Sequence, residues 1–321
     1  MPAQDIATGH YLTPAVMTAP GAYGPLLAGL PPGIAAVAEA AHGLLIHEHM
    51  AGSYGVTLTP ADRASVHVRP VAGLLQLIAA RDSRPLTDAR VPVARLAGNC
   101  RHFTVLAVAA LRAQGTPARA RCGFGGYFGT GWYEDHWVCE YWDQAAQRWV
   151  LADAQIDEVQ RGLSGIGFDV LDVPRDKFLV AGEAWRRCRR GDADPAAFGF
   201  SLLKEGGYWW IAGNLVRDVA ALANMEMLPW DVWGAMPGPD EPIDDERLAL
   251  FDRLADLTAA DPDPDSDPDP DSDADSDAAF IDLTAAYSAD DRLRVPATVY
   301  NAVLNRPEPV PGSDPGPLPS V

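Results

Sequence analysis

Three residues of this 321-residue chain have the types and spacing for nucleophilic chemistry: Cys100, His136 and Asp153. Cys100 follows Gly98-Asn99 and heads a long apolar run, where a helix would begin. Backbone N–H groups and the positive end of the helix dipole at such a position favour a thiolate. The same free N–H groups can donate to an oxyanion. A cysteine met singly is more often a small buried hydrophobe, so the case for chemistry rests on what the fold sets around it.

The run from Arg101 to Ala113 is apolar on nearly every face, with Phe103, Val105, Leu106, Val108 and Leu111 among alanines, as in a helix buried on all sides. Asn99 suits the cap at its start; Gly115 and Pro117 suit its end. Helical spacing stops there. Residues 117–153 read as three antiparallel strands, PARARCGF, DHWVCEYW and RWVLAD, separated by a Gly-rich stretch and an Asp-Gln turn. A four-residue loop at 143–146 pairs Trp142 with Gln147 and sets His136 directly opposite Asp153. Their Cβ atoms would then lie about 5 Å apart on one face, so that the carboxylate orients the imidazole. Trp137, Cys139 and Tyr141 take the other face.

The segments GNCRHFTVLAVAALRAQGTPARARCGFG and DHWVCEYWDQAAQRWVLADAQID, from Ala97 to Asp157, resemble the core of the transglutaminase-like superfamily, whose architecture is related to papain-type thiol enzymes. Cys at the start of the central helix, the G-x-P-A-R strand entry at Gly115 to Arg119, and the His and Asp strands carry that resemblance in combination. It implies an α+β fold with a central helix packed on an antiparallel sheet and flanking helical segments. It also implies Cys100 as nucleophile, His136 as general base and acid, and Asp153 as the orienting carboxylate. The expected activity is acyl transfer through a thioacyl intermediate on a peptide, protein or small amide, as peptidase, amidase or transamidase. A catalytically inactive module that holds a partner in the same cleft is the alternative. The calcium sites of the larger animal crosslinking members map onto nothing in this sequence, so no metal and no other cofactor is expected.

Neighbouring residues have plainer readings. His102, two residues after Cys100, would point about 200° away on a helix and makes a poor base for it. His47-Glu48-His49 lacks the spacing of a metal-binding helix. The glycines of CGFGGYFGTG do not fit a phosphate loop. That loop leads into His136, and Tyr127, Trp132 and Tyr133 are expected to wall a substrate cleft. Cys122, Cys139 and Cys188 read as buried structural thiols.

Around this core, residues 1–90 read as a mainly helical N-terminal part, 91–160 as the catalytic core and 161–259 as a C-terminal helical extension. Residues 260–279 read as a disordered Asp-rich linker, 280–308 as a C-terminal helical segment and 309–321 as a disordered Pro-rich tail. The net charge is −19; without the nine acids of 261–277 it is still −10. An acidic body without a dense basic stripe argues against nucleic-acid binding. Four cysteines without CxxC spacing argue against a disulfide scaffold. No stretch reaches the roughly 18 apolar residues that span a membrane, and the start has no signal-peptide pattern. A cytoplasmic location is the expectation.

Overall fold

The computed structural model describes residues 6–239, 241–258 and 272–312. Its class is α+β, with helices packed against a six-stranded sheet. The expected helix runs over Cys100–Ala113. It ends where Gly115 takes φ +80° and Thr116 N–H returns to Leu111 O at 2.9 Å. Every residue from Cys100 to Arg112 is buried, the charged ones included. Val105, Leu106, Val108 and Leu111 pack with the N-terminal helices Ile34–Leu44 and Val71–Arg81 and with Trp137 and Cys139 of the sheet. Each such buried side chain contributes about 1.5–3 kcal/mol of apolar burial.

Three antiparallel strands form the centre of the sheet: β3 (Ala118–Gly125), β4 (Tyr133–Asp143) and β5 (Arg148–Ala152). Before them, β1 (Leu45–His47) and β2 (Leu96–Gly98) pair in parallel and lead the chain into the central helix. Beyond them, β6 (Phe178–Val180) joins the free edge of β3, while β7 (Phe198–Phe200) runs parallel to the start of β4 and pairs with β8 (Glu205–Gly206). The segment 161–259 is therefore not a purely helical extension: three of its strands complete the core sheet, beside the helices Ala181–Arg190, Tyr208–Leu222 and Asp245–Thr258. Strands of two or three residues are too short to show a period.

The C-terminal part departs from expectation in the same way. The helix Ser272–Ala289 covers all of what read as acidic linker after 271; residues 259–271 lie outside the described residues. Of the helical segment expected over 280–308, residues 280–289 belong to that helix, whereas β10 (Thr298–Asn301) and β11 (Arg306–Pro309) form a hairpin, and β10 also pairs with β9 (Asp231–Val232). Of the Pro-rich tail, 313–321 lie outside the described residues. No helix among the described residues is long and apolar enough to cross a membrane.

A buried charge network ties these layers together. Glu140 of β4 accepts from Arg119 at 2.6 Å, Arg175 at 2.8 Å and Arg121 at 3.1 Å, and Arg121 reaches Asp218 of the helix Tyr208–Leu222 at 2.9 Å. Burial pushes the Glu140 carboxyl up, but the three guanidiniums outweigh it and hold it well below the usual range. The close approach of β6 to β3 needs a glycine: a Cβ on Gly123, which faces His136 across β3 and β4, would come within 2.2 Å of Leu179 O.

Candidate active site

The first helical turn is clamped from within. His102 Nδ1 accepts from Asn99 N–H at 3.2 Å, and Nε2 lies 3.1 Å from Val68 O. A proton on Nε2, donated to that carbonyl, makes Nδ1 the acceptor. Burial, then the adjacent Arg101 guanidinium, hold His102 well below the imidazole range and keep it neutral. Arg101, with no exposure, donates to Arg69 O and Glu226 O. The two residues after Cys100 thus anchor the turn that presents the thiol.

Asp153 follows the last residue of β5 and is 1% exposed. Its Oδ2 accepts from Tyr127 Oη–H at 2.7 Å and lies 2.8 Å from His136 Nε2, while Oδ1 accepts from Gln155 N–H at 3.1 Å. With Nε2 engaged there, Nδ1 is the nitrogen left to serve Cys100, which is close enough to act on the imidazole's charge. Burial opposes a charge on His136, yet the Asp153 carboxylate, and behind it Cys100, outweigh burial and raise it above the ordinary imidazole value. Burial likewise pushes Asp153 up, but His136 and the donors Tyr127 and Gln155 outweigh it and hold the carboxyl below its usual range. Burial first, then the facing Asp153, raise the Tyr127 phenol well above its ordinary value, so it stays a donor. Phe128 and Phe178 set ring edges against the imidazole at 4.9 and 6.3 Å between centroids.

The hairpin register differs from expectation by two residues. Trp142 pairs with Trp149 and Asp143 with Arg148, so the loop is 144–147. Asp143 Oδ1 accepts from Ala145 and Ala146 N–H, and Gln147 takes φ +52°, which starts the return strand one residue later. A shift of two preserves the face of every side chain. His136 and Asp153 are therefore diagonal neighbours rather than direct partners. The second edge of β4 is taken by β7 up to Glu134 and by β5 from Cys139. His136 lies in the unpaired interval between them, beside the end of β5.

Residues 78–154 match the sequence model of the Transglutaminase-like superfamily. Over that stretch the chain is similar to a transglutaminase-like core. Among solved structures, a candidate cysteine protease from Cytophaga hutchinsonii is similar over 56% of this chain, with 14% identity and a TM-score of 0.34. That similarity spans 47% of the other protein's length. No curated protein matches the sequence.

Within the transglutaminase-like core, the aromatics expected to wall a cleft have other places. Tyr127 is 7% exposed and stands behind Asp153 as its donor; its place just before the His strand was the only sign of this in the sequence. Tyr133 stacks on Phe198 of β7 at 4.5 Å, and Trp132 is half-buried over Gly206 of β8. Both pack on the hairpin that closes the sheet edge. His47 and His49 lie together with ring centroids 5.7 Å apart, and His49 faces Phe200 at 5.3 Å. Among the described residues, no group of three or more His, Cys, Asp or Glu is arranged to hold a metal. Cys122, Cys139 and Cys188 are buried, and burial raises all three thiols, Cys188 to about 12.

Proposed function

We propose that this protein is a thiol enzyme that transfers the acyl group of a peptide or other amide through a thioacyl intermediate on Cys100, with His136 as acid and base and Asp153 as the orienting carboxylate. One observation carries this reading: a buried imidazole held 2.8 Å from a carboxylate, with the cysteine of a helix start among the groups that raise it. Cys100 sulfur attacks the carbonyl carbon, forming the C–S bond as the carbonyl π pair moves onto oxygen. When the carbonyl re-forms, the C–N bond breaks and the leaving amine takes the His136 proton. Water or a second amine then attacks the thioester as His136 removes the nucleophile's proton; the C–S bond breaks and the Cys100 thiolate leaves, facing the protonated His136 again. Asp153 remains ionised throughout and keeps Nε2 protonated, leaving Nδ1 to exchange protons at the sulfur.

Intact-mass measurement after mixing with a panel of activated acyl esters tests this. The expected result is a single acyl adduct that is absent in Cys100→Ala. An adduct that persists in Cys100→Ala, or the absence of any adduct across the panel together with uniformly slow iodoacetamide labelling of all four thiols, overturns it.

A further inference from the structure

A second imidazole lies near the start of the central helix, on a strand far from it in sequence. In the parallel pair of β1 and β2, His47 is the partner of Gly98, and Glu48 N–H donates to Gly98 O at 2.8 Å. Neighbouring strands lie about 4.8 Å apart, and Gly98 precedes Cys100 by two residues, so His47 is held alongside the start of the central helix. The strand faces are assigned by what packs on each. Leu45 and Leu96 enter the cluster that contains Cys100, whereas Ile46 and Ala97 turn to a separate cluster with Ala51 and Val66. Side chains alternate along a strand, so His47 takes the same face as Leu45 and its partner Gly98, where a Cβ would meet His102 in the first turn of the central helix.

The ring's hydrogen bonding leaves one nitrogen free. His47 Nδ1 accepts from His49 N–H at 3.3 Å, so a neutral ring carries its proton on Nε2. The charges that act on it are those of His49, His136 and Asp153, with His102 also near; burial first, then His49 and His136, outweigh Asp153 and bring His47 down to about 3. It is an uncharged N–H donor throughout the working range. The residue is half-buried, at the end of β1 where the chain passes to the exposed His49. The first N–H of the central helix, that of Cys100, has no acceptor within the helix.

We propose that His47 is a further catalytic residue whose Nε2–H, together with the Cys100 N–H, donates a hydrogen bond to the carbonyl oxygen of the acyl group that Cys100 attacks. It rests on the thioacyl reading above. As the C–S bond forms and the π pair moves onto oxygen, both donors strengthen their hold; when the carbonyl re-forms they relax, and His47 keeps its proton at every stage. A neutral imidazole suits this role because it supplies a dipole aimed at developing charge without a proton to lose. His136 alone then handles proton transfer.

Two reactions of the same sulfur separate this role from others. Acylation by a p-nitrophenyl ester builds negative charge on oxygen; alkylation by iodoacetamide does not. In His47→Leu the acylation rate is expected to fall by about 10²–10³, the effect of losing one such donor, with Cys100 alkylation within twofold of native. His47→Gln, which keeps an N–H, is expected to retain most of the acylation rate. Equal losses in both reactions, or no loss in either, overturn the proposal. Native-rate alkylation in the same sample reports an intact first turn; if His47→Leu does not fold, His47→Asn and His47→Ala take its place in the comparison. Failure of the native protein to acylate at Cys100 sinks the thioacyl reading itself and is a distinct outcome.

Discussion

Replacing Asp153 by Asn keeps the shape of the site and removes one charge, and the hydrogen bonds around the carboxylate dictate the consequence. Oδ2 serves two groups, Tyr127 Oη at 2.7 Å and His136 Nε2 at 2.8 Å, and Oδ1 serves Gln155 N–H at 3.1 Å. The asparagine oxygen must stay on Gln155, because the amide nitrogen there would set two buried donors against each other at a cost of about 1–3 kcal/mol. Its NH2 group then faces His136, which can meet it only by making Nε2 an acceptor. The ring proton moves to Nδ1, the nitrogen that serves Cys100, and the imidazole can no longer take the thiol proton. A wrong tautomer of this kind lowers turnover by about 10⁴ in the serine-protease triad. The same substitution removes the main influence that raises His136, leaving burial to lower it. The assay is turnover of a p-nitroanilide amide against pH. Native protein should lose activity on the alkaline side only above the ordinary imidazole value of about 6.5. Asp153→Asn should lose three to four orders of magnitude and shift that limb to lower pH by a unit or more. An Asn variant within tenfold of native with an unmoved alkaline limb refutes the assignment of Asp153 as the orienting group.

Two further outcomes concern stability. Glu140→Gln leaves the buried Arg121 and the half-buried Arg119 and Arg175 facing a neutral amide, and breaking a buried pair costs about 3–5 kcal/mol; a urea midpoint unchanged from native would contradict this. The His136–Asp153 pair sets a pH window. Asp153 is held below its unfolded value, so its contribution is present above about pH 4 and lost as pH falls through its folded value; His136 is raised, so its contribution is complete below about pH 6.5 and lost as pH rises through its folded value. The difference in unfolding free energy between native and Asp153→Asn should therefore be largest between about pH 4 and 6.5 and shrink on both sides. A difference that is flat from acid to alkaline pH rules out this linkage.

The sequence by itself determined the central helix and its ends, because an apolar run of that length between Asn99 and Gly115 has few other solutions. It also determined that His136 and Asp153 share a face, since strand alternation survives the two-residue error in register. What it could not determine was the register, which depends on Asp143 capping the turn and on a left-handed Gln147. Nor could it place β6, β7 and β8 in the sheet, because strands of two or three residues have no period and form only where a neighbouring edge offers hydrogen bonds. Tyr127 behind Asp153, Arg101 and His102 clamping the nucleophile's turn, and His47 beside Gly98 are likewise products of tertiary structure alone. Each depends on segments distant in sequence meeting at one buried point, where desolvation makes every hydrogen bond and charge count.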